Sequence, residues 1–232
     1  FRCKMSGWTE SKKILLNELN FKEKIVLDVG CGNGWFSHWA SANGSQVDAI
    51  DPSEIQISEA KSRNYNNKIN FIKAGAEDIN DLINVYDLIF FFNSLHHIPI
   101  NLMEKSIEYC KTKISNNGSI LIIEPIAEGN FHNFVKNIDD ETKVRNEAYK
   151  VINNCNKYNL KIIKELKYNE VKAFNSGDDC INFLSKVDVN RISFIENNKE
   201  FLLNKFNSLA NYSNSIYEFI QPMRLNILKN KI

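Results

Sequence analysis

The sequence predicts an α/β fold, a doubly wound and mostly parallel sheet, and three observations carry that expectation. Ile25, Val26 and Leu27 form a short β-favouring apolar run that ends in Asp28 and enters a turn with Gly30, Gly32 and Gly34 at alternate positions. A central parallel strand, covered on both faces, reads as such a continuous run. Strand-like and helix-like segments then alternate along the chain, the signature of crossover units. The candidate strands also end in Asp28, Asp51, Asn93 and Glu124. In open parallel sheets ligands lie outside the C-terminal strand ends, so these polar residues should border one crevice.

Length and composition narrow the class. With 232 residues the chain is long enough for one α/β domain with a full core, and no linker, repeat or charge block divides it, so a single domain over 1–232 is expected. Lys plus Arg number 29 against 28 for Asp plus Glu, a formal charge of +1. No basic face for nucleic acid or an anionic membrane follows from that balance, and a small-molecule partner is expected. The apolar runs are too short to span a bilayer, and the N-terminus lacks the layout of a signal peptide. The five cysteines are odd in number and widely spaced, without a C-x-x-C pair, so reduced thiols in a cytoplasm and no metal site are expected. The chain opens on Phe1 rather than methionine, so residues ahead of it are expected.

In order, Ser11 to Leu19 has one apolar face, Ile14, Leu15, Leu16 and Leu19, for a helix, with Trp8 just before it. After the glycine turn, Trp35 to Asn43 reads as a helix stopped at Asn43-Gly44, and Gln46 to Ile50 as the second strand, ended by Asp51. Asp51 follows Gly30 by about 20 residues, the distance at which a strand-tip carboxylate reaches a bound ribose. Pro52 sits beside it, and Ser53 caps the next helix. Ile69 to Lys73 is the third strand, leading into Ala74-Gly75-Ala76-Glu77-Asp78. Tyr86 to Leu95 is almost wholly apolar and aromatic, a central fourth strand running into Asn93-Ser94-Leu95-His96-His97.

Pro99 to Ile114 is the next helix, and Ser119 to Ile123 the fifth strand, ended by Glu124-Pro125. Glu128 and His132 reach the same edge if the following loop folds back. Asp139 to Tyr158 has helical spacing, Leu160 to Phe174 alternates as a strand, and Tyr217 to Leu228 could be its antiparallel partner. Between them, 178–210 reads as two helices forming a cap. Phe131, Phe174, Phe194, Tyr212 and Phe219 would give an apolar wall, while Arg145, Arg191 and Arg224 could hold an anionic group.

The turn itself separates two kinds of cradle. A dinucleotide fingerprint needs a third glycine three positions after the second, where this chain has Trp35. The pattern is instead D-x-G-x-G-x-G, whose leading carboxylate would repel a pyrophosphate and suit a cationic amine. It resembles the first motif of the class I S-adenosylmethionine (SAM) dependent methyltransferases, and the likeness runs motif by motif from Lys24 to Glu124, with 160–228 fitting by topology alone. The resemblance implies a seven-stranded sheet with an antiparallel last strand and a helical insert between the last two strands. It implies an N-terminal lid helix over 1–20 with Trp8 near the site, a SAM-binding half over 21–124 and a substrate half over 125–232.

The same resemblance implies SAM as cofactor and S-adenosylhomocysteine as product, held by Asp28, Gly30, Cys31, Gly32, Gly34, Trp35, Phe36, Asp51, Pro52, Ala76, Glu77, Asp78, Asn93 and Ser94. Many relatives read G-D-A-E where this chain has Gly75, which moves the expected adenine amino-group contact to Glu77, or to Asp78 if the loop is shifted by one. The implied reaction is in-line attack by an O, N, S or C atom of a small molecule on the sulfonium methyl, mainly proximity work. His97, then His96, or Glu124 could serve as base when the nucleophile starts protonated. A monomer or homodimer is expected. The alternatives are a non-catalytic SAM- or nucleotide-binding regulatory module and an NAD-dependent oxidoreductase.

Overall fold

The fourth strand shows why helices cover both faces of the sheet. Strand side chains alternate in direction, so Phe90 and Phe92 point to one face and Ile89 and Phe91 to the other, and all four are buried. Phe90 and Phe92 meet Phe36 with ring centroids 4.5 and 5.4 Å apart. Ile89 and Phe91 belong to an aliphatic cluster with Met103, Ile107, Cys110, Ala148 and Ile152.

In this computed structural model residues 8–63, 67–187 and 191–231 are described. The first seven residues of the expected N-terminal lid, and 188–190 of the expected cap, lie outside the described residues. The elements are α1 (Thr9–Glu18), β1 (Ile25–Val29), α2 (Trp35–Ala42), β2 (Gln46–Asp51), α3 (Glu54–Ser62), β3 (Ile69–Lys73), β4 (Tyr86–Phe92), α4 (Ile100–Lys113) and β5 (Ile114–Pro125). They continue with α5 (Gly129–Val135), α6 (Thr142–Asn153), β6 (Leu160–Phe174), α7 (Gly177–Val187), α8 (Ile192–Asn197), α9 (Lys199–Leu209), β7 (Asn211–Ser213) and β8 (Ile216–Asn230). The strand order is β3-β2-β1-β4-β5-β8-β6, with β7 pairing on β8. Pairs β2–β3, β1–β2, β1–β4 and β4–β5 are parallel, and the C-terminal strands are antiparallel. The doubly wound, mostly parallel architecture with a helical insert between the last two long strands is therefore the observed one.

By its contacts the chain divides into two compact units. The larger comprises Leu16–Glu124, Val144–Leu166 and Arg224–Ile232 and holds the parallel strands with α2, α3, α4 and α6. The other comprises Phe1–Leu15, Pro125–Lys143 and Lys167–Met223. Its core is aromatic, with Phe134, Phe174, Phe206 and Phe219 fully buried against one another. Within it the backbone N–H and the hydroxyl of Ser11 donate to the buried Glu170 carboxylate at 2.6 and 2.7 Å. The Lys172 ammonium lies 3.8 Å above the Trp8 ring.

Four sequence expectations are corrected here. The loop after Glu124 contains a helix, α5, with Glu128 as its N-cap residue. The second cap helix is broken in two at Asn198, whose side chain donates back to the Phe194 carbonyl at 2.8 Å, and the short strand β7 follows α9. Phe174 and Phe219 belong to a core and form no wall, while Phe194 and Tyr212 are exposed. Arg191 is committed to Asp139 at 2.8 Å and Glu141 at 2.9 Å, so it holds no incoming anion.

The turn from β1 into α2 depends on left-handed backbone, with φ of 72°, 53° and 78° at Gly30, Gly32 and Gly34. The three glycines differ in what surrounds them. A Cβ on Gly30 would stand 2.6 Å from Ser94 Cβ, and one on Gly34 2.8 Å from the Phe71 ring, whereas one on Gly32 would meet only Gln56 Oε1 at 3.7 Å. We expect Gly32→Ala to cost about 1 kcal/mol, the strain of left-handed backbone alone. Gly30→Ala should cost about 2–4 kcal/mol, because an overpacking term is added. Urea unfolding compares the two directly, and equal losses would mean that Ser94 does not crowd the turn.

Candidate active site at the strand ends

The site is built by four strand ends of the larger unit. Gly30 N and Cys31 N both donate to the Ile50 carbonyl, at 2.8 and 2.9 Å, which folds the turn after β1 against the end of β2. Asp51 completes the join. Its Oδ2 accepts from Gly32 N and its Oδ1 from Ser53 N, each at 2.9 Å, while the half-buried carboxylate keeps lone pairs for a ligand. Gly32 thus presents backbone with almost nothing above it, beside a fixed carboxylate at the strand tip.

Beneath this turn Asp28 is 1% exposed, and Ser37 Oγ, one turn into α2, donates to its Oδ2 at 2.5 Å. Burial pushes the Asp28 carboxyl up to about 7; the Ser37 hydrogen bond opposes that shift and the Asp51 charge adds to it. Near neutral pH Asp28 is therefore divided between neutral and ionised forms. The Cys31 thiol, also buried, is pushed far upward first by desolvation and then by the Asp28 and Asp51 charges, so it stays a thiol.

On the other side of the turn, β4 leaves the sheet through Asn93, in left-handed backbone with φ 56°. Ser94 then donates from Oγ to the Val29 carbonyl at 2.6 Å, filling the space that the missing Gly30 side chain leaves. Glu124 at the end of β5 is 2% exposed and anchors the next three residues. Its Oε1 accepts from Ser94 N at 3.1 Å and Leu95 N at 2.9 Å, and its Oε2 meets Nδ1 of His96. His96 is equally buried, whereas the next residue, His97, is exposed with its ring centroid 4.1 Å from that of His96.

After β3 the chain makes a 3-10 turn over Ala76–Asp81, capped by Asp78, whose Oδ2 accepts from Gly75 N at 2.7 Å. Asp78 is thus occupied by its own turn. Ala76 is buried and Glu77 exposed, and the Glu77 carboxylate folds back into the space that a side chain on Gly75 would fill.

The structure therefore brings Asp28, Gly30, Cys31, Gly32 and Asp51 together with Asn93, Ser94, His96 and Glu124 around one set of strand ends. Gly34 and Trp35 open α2, and the Trp35 ring stands edge-on to Phe92 at 4.8 Å. The Phe36 ring is fully buried between α2 and β4. Pro52 is exposed beside Asp51. One further residue was missed by sequence reasoning: Ser37 holds Asp28, and helical spacing from Gly34 could have suggested it. Arg224, named with Arg145 and Arg191 as able to hold an anionic group, is 6% exposed and close enough to Glu124 to feel its charge.

Comparison with known proteins bears on the domain and its fold. Residues 26–118 match the family described as methyltransferase domain. A malonyl-[acyl-carrier protein] O-methyltransferase of Buchnera aphidicola is 30% identical over 183 residues, which cover 78% of this chain and 64% of that protein. A tRNA U34 carboxymethyltransferase of Vibrio cholerae is 28% identical over 132 residues, 54% of this chain and 39% of that one, so the chain spans under two thirds of either relative. The structure of magnesium protoporphyrin IX methyltransferase from Synechocystis with bound SAM shares the fold, with a TM-score of 0.51 at 14% identity over 95% of this chain and 78% of that one. Residues 26–118 are thus a methyltransferase domain, and the strand order with the D-x-G-x-G-x-G turn at the head of the sheet is the fold of the class I S-adenosylmethionine-dependent methyltransferases.

Proposed function

We propose that the protein is a methyltransferase that moves the methyl group of SAM to an O, N, S or C atom of a small molecule. The observation that carries this reading is the paired arrangement at the strand tips: an open backbone at Gly32 hydrogen-bonded to Asp51, above a buried Asp28 poised near neutrality. Asp51 suits a ribose diol, since a carboxylate already fixed by two amides can still accept from both hydroxyls. Asp28 suits the cationic ammonium of the methionine moiety, which would favour its ionised form. Glu77, filling the place of a Gly75 side chain, suits the adenine amino group. SAM supplies a methyl already activated by its sulfonium, so the protein's task is to hold the nucleophile about 3 Å from it and exclude water.

Where the nucleophile starts protonated, the Glu124–His96 pair is the better base. A carboxylate at Nδ1 fixes the ring plane and tautomer. Glu124 itself, with three donors already on it, orients and does not accept the substrate's proton. His97 is exposed, and it follows the buried His96 in rank.

Residues 21–124 are read as the donor half and 125–232 as the source of acceptor selection. The acceptor of the Buchnera relative, by its name, is a malonyl group on an acyl-carrier protein, which favours an acyl substrate over the tRNA of the Vibrio relative, as does the near-balanced charge of +1. The four described cysteines are unpaired, in keeping with work in a cytoplasm, and no helix among the described residues is long and apolar enough to cross a membrane.

SAM and S-adenosylhomocysteine should raise the melting temperature while NAD does not, since a ligand that binds only the native state stabilises it by mass action. Asp51→Ala should weaken S-adenosylhomocysteine binding by about 1.5–3 kcal/mol in calorimetry. A larger shift with NAD would overturn the choice of SAM as cofactor, and unchanged affinity in the variant would remove the ribose from Asp51.

Asp28 gives a pH test. Its native pKa lies above the unfolded value, so its stabilising contribution is whole below about pH 4. That contribution is lost as pH rises through about 7. Wild-type apoprotein should lose on the order of 2–4 kcal/mol of stability across that window. Asp28→Asn should flatten this slope in urea titrations at several pH values, and in calorimetry it should abolish the gain in S-adenosylhomocysteine affinity that wild type shows between pH 6 and 8. A slope that persists in the variant would place the titrating group elsewhere.

For the chemical step, His96→Ala should lower turnover by about 10²–10⁴ with S-adenosylhomocysteine affinity held within about twofold, and His97→Ala should do less. The assay follows S-adenosylhomocysteine formation against small thiols, amines, phenols and carboxylic acids. Full turnover in His96→Ala would leave pure proximity catalysis.

A further inference from the structure

Arg224 is held as a receptor group is held. It lies on β8, beside β5 in the sheet, and only 6% of it is exposed. Its guanidinium carbon sits 3.3 Å above the Tyr149 ring, a stacked cation–π contact from α6. Its Nε donates to Asn226 Oδ1 at 3.1 Å, two residues along the same strand face. Asn226 is itself fully buried and donates through Nδ2 to Glu165 Oε2 at 2.8 Å, and Glu165 also accepts from Tyr149 OH at 3.2 Å. Four side chains from α6, β6 and β8 thus close a ring that fixes the plane of one guanidinium.

The ring leaves the outer half of the fork unmet. Among the described residues neither Nη atom donates a hydrogen bond, and no carboxylate lies within ion-pair distance of them. Neither Nη is sealed from solvent. The two carboxylates whose charge Arg224 feels are both engaged, Glu165 by Asn226 and Tyr149, Glu124 by His96 and two amides. They lower the cost of burying the cation without satisfying its donors. An arginine cannot shed its charge by deprotonating, so the two Nη groups remain cationic donors open to a ligand.

We propose that Arg224 is the receptor for a carboxylate carried by the methyl acceptor, an inference that rests on the methyltransferase reading above. A planar carboxylate matches the coplanar Nη donors through two parallel hydrogen bonds. Glu124 and Glu165 nearby favour a monoanion over a doubly charged phosphate, because each further negative charge meets theirs.

The test uses the whole protein saturated with S-adenosylhomocysteine and the nitrogen-15 NMR signals of its arginine side chains, with Arg224 assigned by comparison with Arg224→Lys. Acetate should move the Arg224 signals saturably in the tens of millimolar, at least about tenfold more strongly than acetamide, sodium chloride or inorganic phosphate. Arg224→Lys keeps the buried charge but loses the fork. It should retain S-adenosylhomocysteine affinity within about twofold and, for any carboxylate acceptor found in the turnover screen, raise KM at least about tenfold with kcat less affected. Arg224 signals that acetate leaves in place, or moves no more than sodium chloride does, would overturn the inference. A stronger response to phosphate would overturn the choice of carboxylate. Failure of S-adenosylhomocysteine itself to bind would instead remove the methyltransferase reading, so the two failures are told apart.

Discussion

The site depends on one close approach, that of Ser94 to the backbone of Gly30. No side chain can stand on residue 30, and the space so left admits Ser94, whose hydroxyl caps the last carbonyl of β1 at Val29. The end of β4 is thereby drawn against the turn that follows β1. On the opposite side the Ile50 carbonyl takes two amides of the same turn, and Asp51 takes a third. Three strand ends converge on about five residues of backbone, and each junction is a hydrogen bond, that of Ser94 to Val29 fully buried. Such bonds are costly to leave unmade, which fixes the geometry more firmly than their modest net contribution would suggest.

Buried ionisable groups around this turn differ in how far their hydrogen-bonding capacity is met, and that difference underlies the roles proposed for them. Glu124 receives two amides and an imidazole, so its charge is compensated where it lies, and its effect is to orient His96. Asp28 receives one hydroxyl at comparable burial and is driven up to about 7 by desolvation. A carboxylate left so is primed for a cation, because an arriving ammonium restores the charged form that burial disfavours. The two acids stand at neighbouring strand ends of one sheet, and the number of donors aimed at each separates orientation from recognition.

The parallel strands, the glycine turn and the acidic tips were legible in the sequence because each rests on local chemistry: an apolar run, alternate glycines, a carboxylate at a strand end. What was not legible depends on partners distant in sequence. Nothing near Glu124 announces that Ser94 and Leu95, some thirty residues earlier, point their amides at it. The Arg224 ring joins residues 149, 165, 224 and 226 through contacts that no spacing rule connects. Phe174 and Phe219 were read as a wall because aromatic residues after the last motif could line a pocket or fill a core, and only packing distinguishes the two. The break at Asn198 turned on a side chain folding back to its own helix, a choice that helical periodicity does not register.

The hydrogen-bonding state of Arg224 also bears on which acceptor atom is methylated. A guanidinium that holds both oxygens of a carboxylate draws charge from them and blunts their nucleophilicity, while fixing the rest of the molecule in place. An acceptor bound in that way would use its carboxylate as a handle and present another atom to the sulfonium methyl. If instead one oxygen alone lies within the fork, the other keeps its lone pairs and can itself be the nucleophile, with no base required, since a carboxylate at neutral pH is already deprotonated. His96 would then serve to position and desolvate, and its removal would weigh on the reaction far less than it does for a phenol or an amine. On the proposed binding mode, the geometry of one anion in one arginine fork would decide both the bond that forms and whether the Glu124–His96 pair moves a proton.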